Sequence, residues 1–258
     1  MRTPAGARLV DDPGELEAFF SDRRAAHIYA LVDLEPPFWE GSSWFRRDQA
    51  VVGVVALPDG DGLAVYAVST KDAEGSIELL CQLASELPAG QLITGPTGMD
   101  EALRAVRPVA PLGPHVRYEM AGPSAAAAAA DVVALGPADL PAIEALYATE
   151  PGAAFFLPHM LDDQTFVGAH EGGELIAVAG THVVSERQGV AAIGGVLTRS
   201  DRRGRGLGRA VTAGVVERLA GRVEVIGLNV HADNRPARAV YEALGFVAIH
   251  TYAETELV

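Results

Sequence analysis

The residues best suited to chemistry lie in a loop with glycines at alternate positions, Gly204, Gly206 and Gly208. The loop leads into a predicted helix from about 207 to 220. N–H groups at the start of a helix have no partners within it, and the helix dipole makes that end partly positive. Glycines let the backbone approach phosphate oxygens closely, and Arg203 and Arg205 add positive charge. The pattern predicts a phosphate-binding loop, although such residues are also common in ordinary solvent loops.

The same loop argues against two common phosphate motifs. It lacks the Gly-Lys-Ser/Thr of a nucleoside-triphosphate loop, which makes phosphoryl transfer a poor interpretation. It also lacks the first glycine of a dinucleotide-binding turn, because Arg203 begins the pattern. The loop therefore favours a phosphate-containing ligand with a different chemistry.

A second segment with a chemical pattern lies downstream, between 228 and 246. Asn234 is a predicted N-cap and Pro236 lies in the first turn, so a helix should begin here. Ala237 and Tyr241 are four residues apart and share one helix face, with Ala237 small enough to let a ligand pass below the phenol. Gly245 should end the helix. Simple packing and capping would also account for these residue types.

Together the two segments resemble the GCN5-related N-acetyltransferases. Arg203-x-x-Gly206-x-Gly208 looks like the Gln/Arg-x-x-Gly-x-Gly/Ala signature of that family. Asn234-x-x-Ala237-x-x-x-Tyr241-x-x-x-Gly245-Phe246 looks like its second conserved block. The segments occur in the family's order, separated by one helix and one strand. Each pattern is degenerate alone, but the agreement of both identifies the C-terminal half as a member of the family.

The resemblance implies that acetyl-CoA, or another acyl-CoA, lies between two splayed parallel strands, here 190–198 and 223–231. Its expected binding residues are Val196, Leu197, Thr198, Arg203, Gly204, Arg205, Gly206, Leu207, Gly208, Arg209, Asn229, Asn234, Ala237 and Tyr241. The implied reaction is direct attack of an amine on the thioester, with Tyr241 as general acid to the thiolate and with no metal. A backbone N–H of the first strand would stabilise the oxyanion.

The general base is less clear, because the sequence lacks the Glu that many relatives carry on the strand before the loop. The two candidates are His182, on the preceding strand, and His231, at the end of the later one. A histidine suits proton removal near neutral pH, directly or through water. A histidine that only forms a hydrogen bond at a strand end is the simpler alternative for each. The pair Gly194-Gly195 is typical of a β-bulge or of a ligand close to the backbone.

The segment 155–161, Phe-Phe-Leu-Pro-His-Met-Leu, lies where the family usually places the element that covers the acceptor. Its aromatic and methionine side chains would suit an acceptor pocket and would equally suit ordinary core beneath a loop.

Composition limits the class of partner. Of 258 residues, 34 are acidic and 20 basic, which gives a net charge of −14. Such a chain would be repelled by nucleic acids and anionic membranes. The acidity is compatible with cationic amine substrates and also with a role in solubility alone. A single cysteine, Cys81, excludes an internal disulfide. The sequence shows no signal peptide or membrane-spanning stretch, so we expect a cytoplasmic protein.

The predicted fold is α+β: a GNAT-like mixed, mostly antiparallel sheet flanked by helices, present twice. The predicted domains are 1–122, a linker 123–130 with alanines from 125 to 130, and 131–258. The halves share an order of elements but no sequence motif. Residues 65–76, at the position that matches the phosphate loop, contain no glycine triplet and carry two acids. The N-terminal half is therefore expected to be a degenerate copy that does not bind CoA.

Three functions fit these patterns. The leading hypothesis is acetylation of a small-molecule amine or amino acid. The second is transfer of a longer acyl group to glycine or a related amino acid. The third is a CoA-binding sensor or interaction module without catalysis, which the missing Glu favours and the retained Tyr241 disfavours. A monomer and a homodimer are both compatible with the sequence.

Overall fold

The computed structural model describes residues 1–57, 62–67, 70–122 and 132–258. The chain packs as two compact units, Met1–Arg117 together with Ile249–Val258, and Tyr118–Ala248. The last ten residues therefore pack with the N-terminal unit, whereas the sequence pattern assigned them to a domain 131–258. The predicted linker 123–130 lies outside the described residues, and the predicted domain boundaries stay predictions.

Strands and helices alternate along both units. The strands are β1 (Arg8–Val10), β2 (Ser42–Arg47), β3 (Ala50–Ala56), β4 (Leu63–Ala67), β5 (Leu92–Gly95), β6 (Val109–Met120), β7 (Val132–Leu135), β8 (Phe166–Glu171), β9 (Glu174–Ser185), β10 (Val190–Thr198), β11 (Val225–His231) and β12 (Phe246–Leu257). The helices are α1 (Pro13–Phe20), α2 (Ile28–Val32), α3 (Ala73–Ala84), α4 (Met99–Arg104), α5 (Leu140–Tyr147), α6 (Met160–Asp163), α7 (Leu207–Leu219) and α8 (Arg235–Ala243). Short 3₁₀ helices occupy Ser21–His27, Trp39–Gly41, Pro137–Asp139 and Ser200–Arg202.

The N-terminal unit has strands in the order β1-β2-β3-β4-β5-β12-β6. Strands β1 to β4 pair antiparallel, and β4 and β5 are parallel, from Ala64↔Leu92 to Tyr66↔Thr94. Helix α3 connects β4 to β5 and packs its apolar face on the sheet, with Leu79, Leu80 and Leu83 fully buried. This crossover is the connection that two adjacent parallel strands require.

The C-terminal unit repeats that arrangement, with strands in the order β11-β10-β9-β8-β7. Strands β7 to β10 pair antiparallel, and β10 and β11 are parallel and joined through α7. A core cluster that includes Ile143, Leu146, Phe166 and Leu197 forms between α5 and the sheet. The predicted α+β class, with a mostly antiparallel sheet and flanking helices in each half, is confirmed.

Within the ranges that the structure describes, no helix is both long and apolar enough to cross a membrane.

Candidate active site

A cleft opens in the C-terminal unit where β10 and β11 separate. Their parallel pairing runs from Val190↔Val225 to Ile193↔Leu228, whereas β10 continues to Thr198 and β11 to His231. The predicted ligand-contacting residues of both strands, Val196 to Thr198 and Asn229, follow the last paired positions. Unpaired strand edges carry free backbone N–H and C=O groups. The cleft can therefore hydrogen-bond an extended ligand through the main chain.

A β-bulge shapes the wall of this cleft. Between β9 and β10 the register shifts from Gly194↔Gly180 to Leu197↔Val178, so β10 contains one extra residue. Gly195 adopts a φ of +60°, which a residue with a side chain rarely accepts. The Tyr147 hydroxyl donates to the Gly195 carbonyl at 2.6 Å. The bulge predicted from the paired glycines is confirmed, and Tyr147, at the end of α5, holds it in place.

The glycine loop presents a row of backbone donors at the start of α7. Gly204 and Gly206 have φ values of +76° and +79°, and open space surrounds the position that a Cβ atom would take at each. None of the N–H groups from Gly204 to Arg209 donates to a described residue; the next one, that of Ala210, bonds the Gly206 carbonyl. Such a cradle of N–H groups at a helix N-terminus fits a pyrophosphate.

Three arginines of this loop form salt bridges with carboxylates. Arg202 and Arg205 both pair with Glu171, at 2.5 Å and 2.8 Å, and Glu171 ends β8. The hydrogen bonds from Arg205 and Arg202 hold the pKa of Glu171 below its usual range. Arg203 pairs with Glu150 and also donates to the Thr198 carbonyl at 3.2 Å. These contacts tie the loop to the unit, so its anion-binding capacity rests on backbone N–H groups more than on the charges expected from the sequence.

The helix that carries Tyr241 begins as predicted. The Asn234 side chain accepts from the Ala237 N–H at 3.2 Å, and Pro236 occupies the first turn of α8. Tyr241 is buried, with its ring 6.2 Å from that of Phe246, and burial raises the pKa of its hydroxyl to about 12. The phenol therefore stays protonated across the physiological range.

A polar network that the sequence did not indicate stands beside Tyr241. The ring of Tyr118 lies 6.4 Å from that of Tyr241. Its hydroxyl donates to Glu242 at 2.8 Å and accepts from Arg238 at 3.0 Å. Both partners belong to α8. Tyr118 is fully buried and thus fixes the orientation of the helix that presents Tyr241.

His182 lies on β9 directly against the bulge. Its ring fills the space above Gly194, where a Cβ atom would come within 2.2 Å of Nε2. The ring also meets Phe155 edge-on, with centroids 5.8 Å apart. Burial lowers the pKa of His182, and a hydrogen bond with the Phe155 backbone partly offsets the effect. The imidazole is therefore neutral at pH 7 and able to accept a proton.

His231 has a different setting. Its Nδ1 accepts the N–H of Asp233 at 3.2 Å and so stabilises the turn between β11 and α8. This contact engages one of the two ring nitrogens. The structure thus places His182 at the bulge and His231 at the end of β11.

The segment 155–161 is partly buried in the core. Phe156, Leu157, Met160 and Leu161 pack into the core cluster of the C-terminal unit. Phe155 remains 54% exposed beside His182. The packing of these four residues agrees with the core interpretation, and the acceptor-pocket interpretation stays a prediction for Phe155.

Sequence reasoning missed Tyr118 and Tyr147 as neighbours of the site. Tyr147 lies in the last turn of α5, but nothing in its local pattern points to Gly195, 48 residues away. Tyr118 lies on β6, which the sequence assigned to the other half. Only packing brings these side chains to the site.

Comparison with known proteins agrees with this geometry. Residues 138–246 match the model of the acetyltransferase (GNAT) family. A mycothiol acetyltransferase of Streptomyces bingchenggensis is 41% identical over 92 residues, which are 35% of this chain and 29% of that protein. The chain thus aligns with less than a third of the length of the curated relatives it matches.

Two solved structures extend the likeness beyond this segment. A GNAT-family acetyltransferase from Novosphingobium aromaticivorans is 26% identical, with a TM-score of 0.59, over 79% of this chain and 87% of its own. A tandem GNAT protein from the clavulanic acid biosynthesis pathway has a TM-score of 0.56 at 15% identity, over 97% and 98% of the two chains, and shares the fold. Residues 138–246 therefore resemble the GNAT acetyltransferase family, and the chain as a whole shares its fold with a tandem GNAT protein.

Proposed function

We propose that the C-terminal unit transfers the acetyl group of acetyl-CoA to a primary amine of a small molecule or amino acid. The observation that carries the proposal is the row of N–H groups from Gly204 to Arg209, which donate to no described residue. The row follows the cleft strand β10 after one short 3₁₀ helix. Acetyl-CoA combines a pyrophosphate for that row with an extended amide-bearing arm for the strand edges.

In this proposal Tyr241 is the general acid. A thiolate leaving group has a conjugate acid with a pKa near 8.5, judged by cysteine, and the phenol of Tyr241 is protonated at that pH. Tyr241 donates its proton to the sulfur as the carbon–sulfur bond breaks. The buried ring contacts with Tyr118 and Phe246 hold the phenol in one orientation.

We propose His182 as the base that removes a proton from the attacking amine, directly or through one water. Its neutral imidazole touches Gly194 at the bulge, next to the strand segment where the thioester is expected. His231 is the weaker candidate, because one of its nitrogens already serves the turn. A backbone N–H just beyond the bulge, of Val196 or Leu197, would stabilise the oxyanion, and Tyr147 is the positioning residue that holds the bulge.

The acceptor is proposed from the relatives and from the site. Two matching proteins are named mycothiol acetyltransferases, so the acceptor of those enzymes is the first amine to test. The exposed ring of Phe155 beside His182 offers an apolar surface for the acceptor body. A longer acyl chain would require space beyond the bulge that His182 and Tyr147 partly fill.

Calorimetric titration of the full chain with acetyl-CoA tests the proposal first. We expect micromolar binding at one site per chain, followed by turnover when an acceptable amine is added. Hexanoyl-CoA and benzoyl-CoA serve as comparison donors for acyl length. Two sites per chain would contradict a silent N-terminal unit. Tight binding without transfer to any amine in a broad screen would favour the sensor, and no binding at all would overturn the assignment.

A further inference from the structure

Arg203 lies on the edge of β10 that borders the cleft. Its Nε donates to the Thr198 carbonyl at 3.2 Å. The Arg199 N–H donates to the Ile176 carbonyl on β9 at 2.9 Å. Because adjacent residues of an antiparallel strand direct their N–H and C=O groups to opposite sides, the Thr198 carbonyl points away from β9. On that side β11 has separated from β10 after Ile193, so Arg203 covers a hydrogen-bond acceptor of the cleft.

Glu150 holds Arg203 in this position. The Nη2 of Arg203 forms an ion pair with Oε2 of Glu150, which lies just after the end of α5. The other carboxylate oxygen, Oε1, is buried and has no hydrogen-bond partner among the described residues. A buried oxygen without a donor is unfavourable, so the Glu150 carboxylate depends on Arg203 for its compensation. The Arg203 side chain is 54% exposed and can therefore move without loss of core packing.

This contact with the strand distinguishes Arg203 from its neighbours in the loop. Arg202 and Arg205 both pair with Glu171 at the end of β8. Neither of their side chains donates to a described residue of β10. Of these three loop arginines, Arg203 is thus the one whose side chain stands where a ligand of the cleft would pair with the main chain.

The Arg203 contact competes with the arm of an acyl donor. Under the proposed function, on which this inference rests, the amide-bearing arm of the donor pairs with the open edge of β10. The Nε–H of Arg203 lies at the distance from the Thr198 carbonyl at which a paired chain would place its own N–H. An arm that pairs at Thr198 therefore displaces the guanidinium. Arg203 directly precedes Gly204, where the row of N–H groups begins, so a pyrophosphate in that row offers the displaced guanidinium an anion.

We propose that Arg203 and Glu150 select acyl donors that carry a pyrophosphate. With such a donor, Arg203 exchanges the Glu150 carboxylate and the Thr198 carbonyl for the pyrophosphate. A donor that ends at pantetheine offers no anion in exchange, so Arg203 stays with Glu150 and continues to cover the strand edge. Release of Glu150 opposes binding, since its buried oxygen then lacks a compensating cation. The pair lowers the affinity for every donor, and lowers it most for donors without phosphate.

Arg203→Ala separates the two kinds of donor on the full chain. The dissociation constant for acetyl-CoA, measured by calorimetry, should rise about tenfold, because the charged contact with the pyrophosphate is lost. The dissociation constant for S-acetylpantetheine, measured by saturation-transfer NMR, should fall about threefold, because the strand edge is then uncovered. A shift in the same direction for both donors would overturn the proposal.

Glu150→Gln tests the other member of the pair and decides the matter if the Arg203 variant does not fold. Both donors should bind about two- to fivefold more tightly, the range of an exposed ion pair, because Arg203 is then held less firmly. Glu186→Gln is the matched control. It removes a carboxylate that pairs with Arg222 at 2.9 Å in the same unit, and should leave both dissociation constants within about twofold. Weaker binding of acetyl-CoA by the Glu150 variant would show that the carboxylate positions Arg203 for the donor, contrary to the proposal.

Binding by the wild-type chain separates this inference from the proposed function. If the wild-type chain does not bind acetyl-CoA, both are wrong. If it binds acetyl-CoA and neither variant changes the dissociation constants as expected, the acetyl-CoA site stands and the selection of donors by Arg203 and Glu150 is wrong.

Discussion

At the scale of single residues, burial favours the neutral forms of the two groups that we propose as general acid and general base, Tyr241 and His182. Burial raises the pKa of the Tyr241 phenol to about 12 and lowers the pKa of the His182 imidazole. Each group is thereby kept in its neutral form at pH 7. That form is the proton donor for Tyr241 and the proton acceptor for His182, as general acid–base catalysis requires.

Tyr241→Phe removes the proton donor and keeps the ring. We expect kcat to fall on the order of 100-fold, because the thiolate then leaves without protonation. The dissociation constant for acetyl-CoA, measured by calorimetry, should stay within about twofold, since the ring contacts with Tyr118 and Phe246 persist. A variant with full kcat would exclude Tyr241 as the acid. Loss of binding with unchanged kcat would assign it to substrate binding alone.

His182→Gln and His231→Gln separate the two candidate bases. At pH 7 we expect kcat/KM of the His182 variant to fall on the order of 100-fold, and that of the His231 variant to stay within about fivefold. Because burial lowers the pKa of His182, the acidic limb of the wild-type pH–rate profile should lie below the ordinary histidine range. That limb should vanish only in the His182 variant. The reverse pattern would transfer the role to His231.

At the scale of elements, the bulge in β10 and the start of α7 shape the proposed acetyl-CoA site. Both depend on glycines in the left-handed region, Gly195 at the bulge and Gly206 at the N-cap of α7. The sequence predicted both features from their glycines. It did not predict the Tyr147 hydrogen bond or the link from Glu171 to the loop arginines, because these join residues from separate elements.

Tyr147→Phe removes only the hydroxyl that holds the Gly195 carbonyl. We expect kcat to fall about tenfold and the free energy of unfolding to fall by about 1 kcal/mol, as for loss of one buried hydrogen bond. Thr149→Val is the control, since its hydroxyl donates to the Leu146 carbonyl at the end of the same helix without touching the bulge. Equal kcat values for both variants and wild type would show that catalysis does not depend on the Tyr147 hydrogen bond to the bulge.

Gly206→Ala tests the cradle at the start of α7. Gly206 has a φ of +79°, and open space surrounds the position of the added methyl group. Backbone strain should therefore lower the free energy of unfolding by about 1–2 kcal/mol, and we expect weaker binding of acetyl-CoA as well. Gly208→Ala is the matched control, because its added Cβ meets only the Thr198 hydroxyl at 3.5 Å. Chemical denaturation and calorimetry give the two quantities. If both variants lost the same amount of stability and of acetyl-CoA affinity, backbone strain at Gly206 would not explain the effect.

At the scale of the whole molecule, the chain carries two units with the same order of strands and different buried chemistry. The N-terminal unit buries groups whose titration affects folding. Burial raises the pKa of Asp33 to about 7 from 3.8 and contributes to lowering that of His27 to about 3 from 6.5. The folded state retains the Asp33 proton that the unfolded chain releases, so this contribution to stability falls as pH rises from about 4 to 7. The effect of His27 on stability has the opposite pH dependence. Its contribution to the free energy of unfolding falls as the pH drops below 6.5.

Asp33→Asn isolates the first of these effects. The free energy of unfolding of the variant relative to wild type should increase between about pH 4 and pH 7, in total by on the order of 1–4 kcal/mol. Denaturant unfolding at a series of pH values measures it, with the exposed Asp11→Asn as a control that should show no such trend. A pH-independent difference for Asp33→Asn would show that the carboxyl is not protonated in the folded state.

The sequence by itself determined the local elements of the site. The strand 190–198, the helix start at Asn234 and the glycine loop follow from residues within a dozen positions of one another, because capping and left-handed turns are local events. The family motif is local for the same reason, and it led to acetyl-CoA and to Tyr241.

Only the tertiary structure decided which side chains meet across the fold. The contacts of Tyr147 with Gly195 and of Tyr118 with α8, and the packing of Ile249–Val258 in the N-terminal unit, all join distant segments. The ion pair of Arg203 with Glu150 joins residues that are 53 positions apart. Their meeting depends on strand register and on burial, which sum contributions from the whole chain and leave no signal in any short stretch of it.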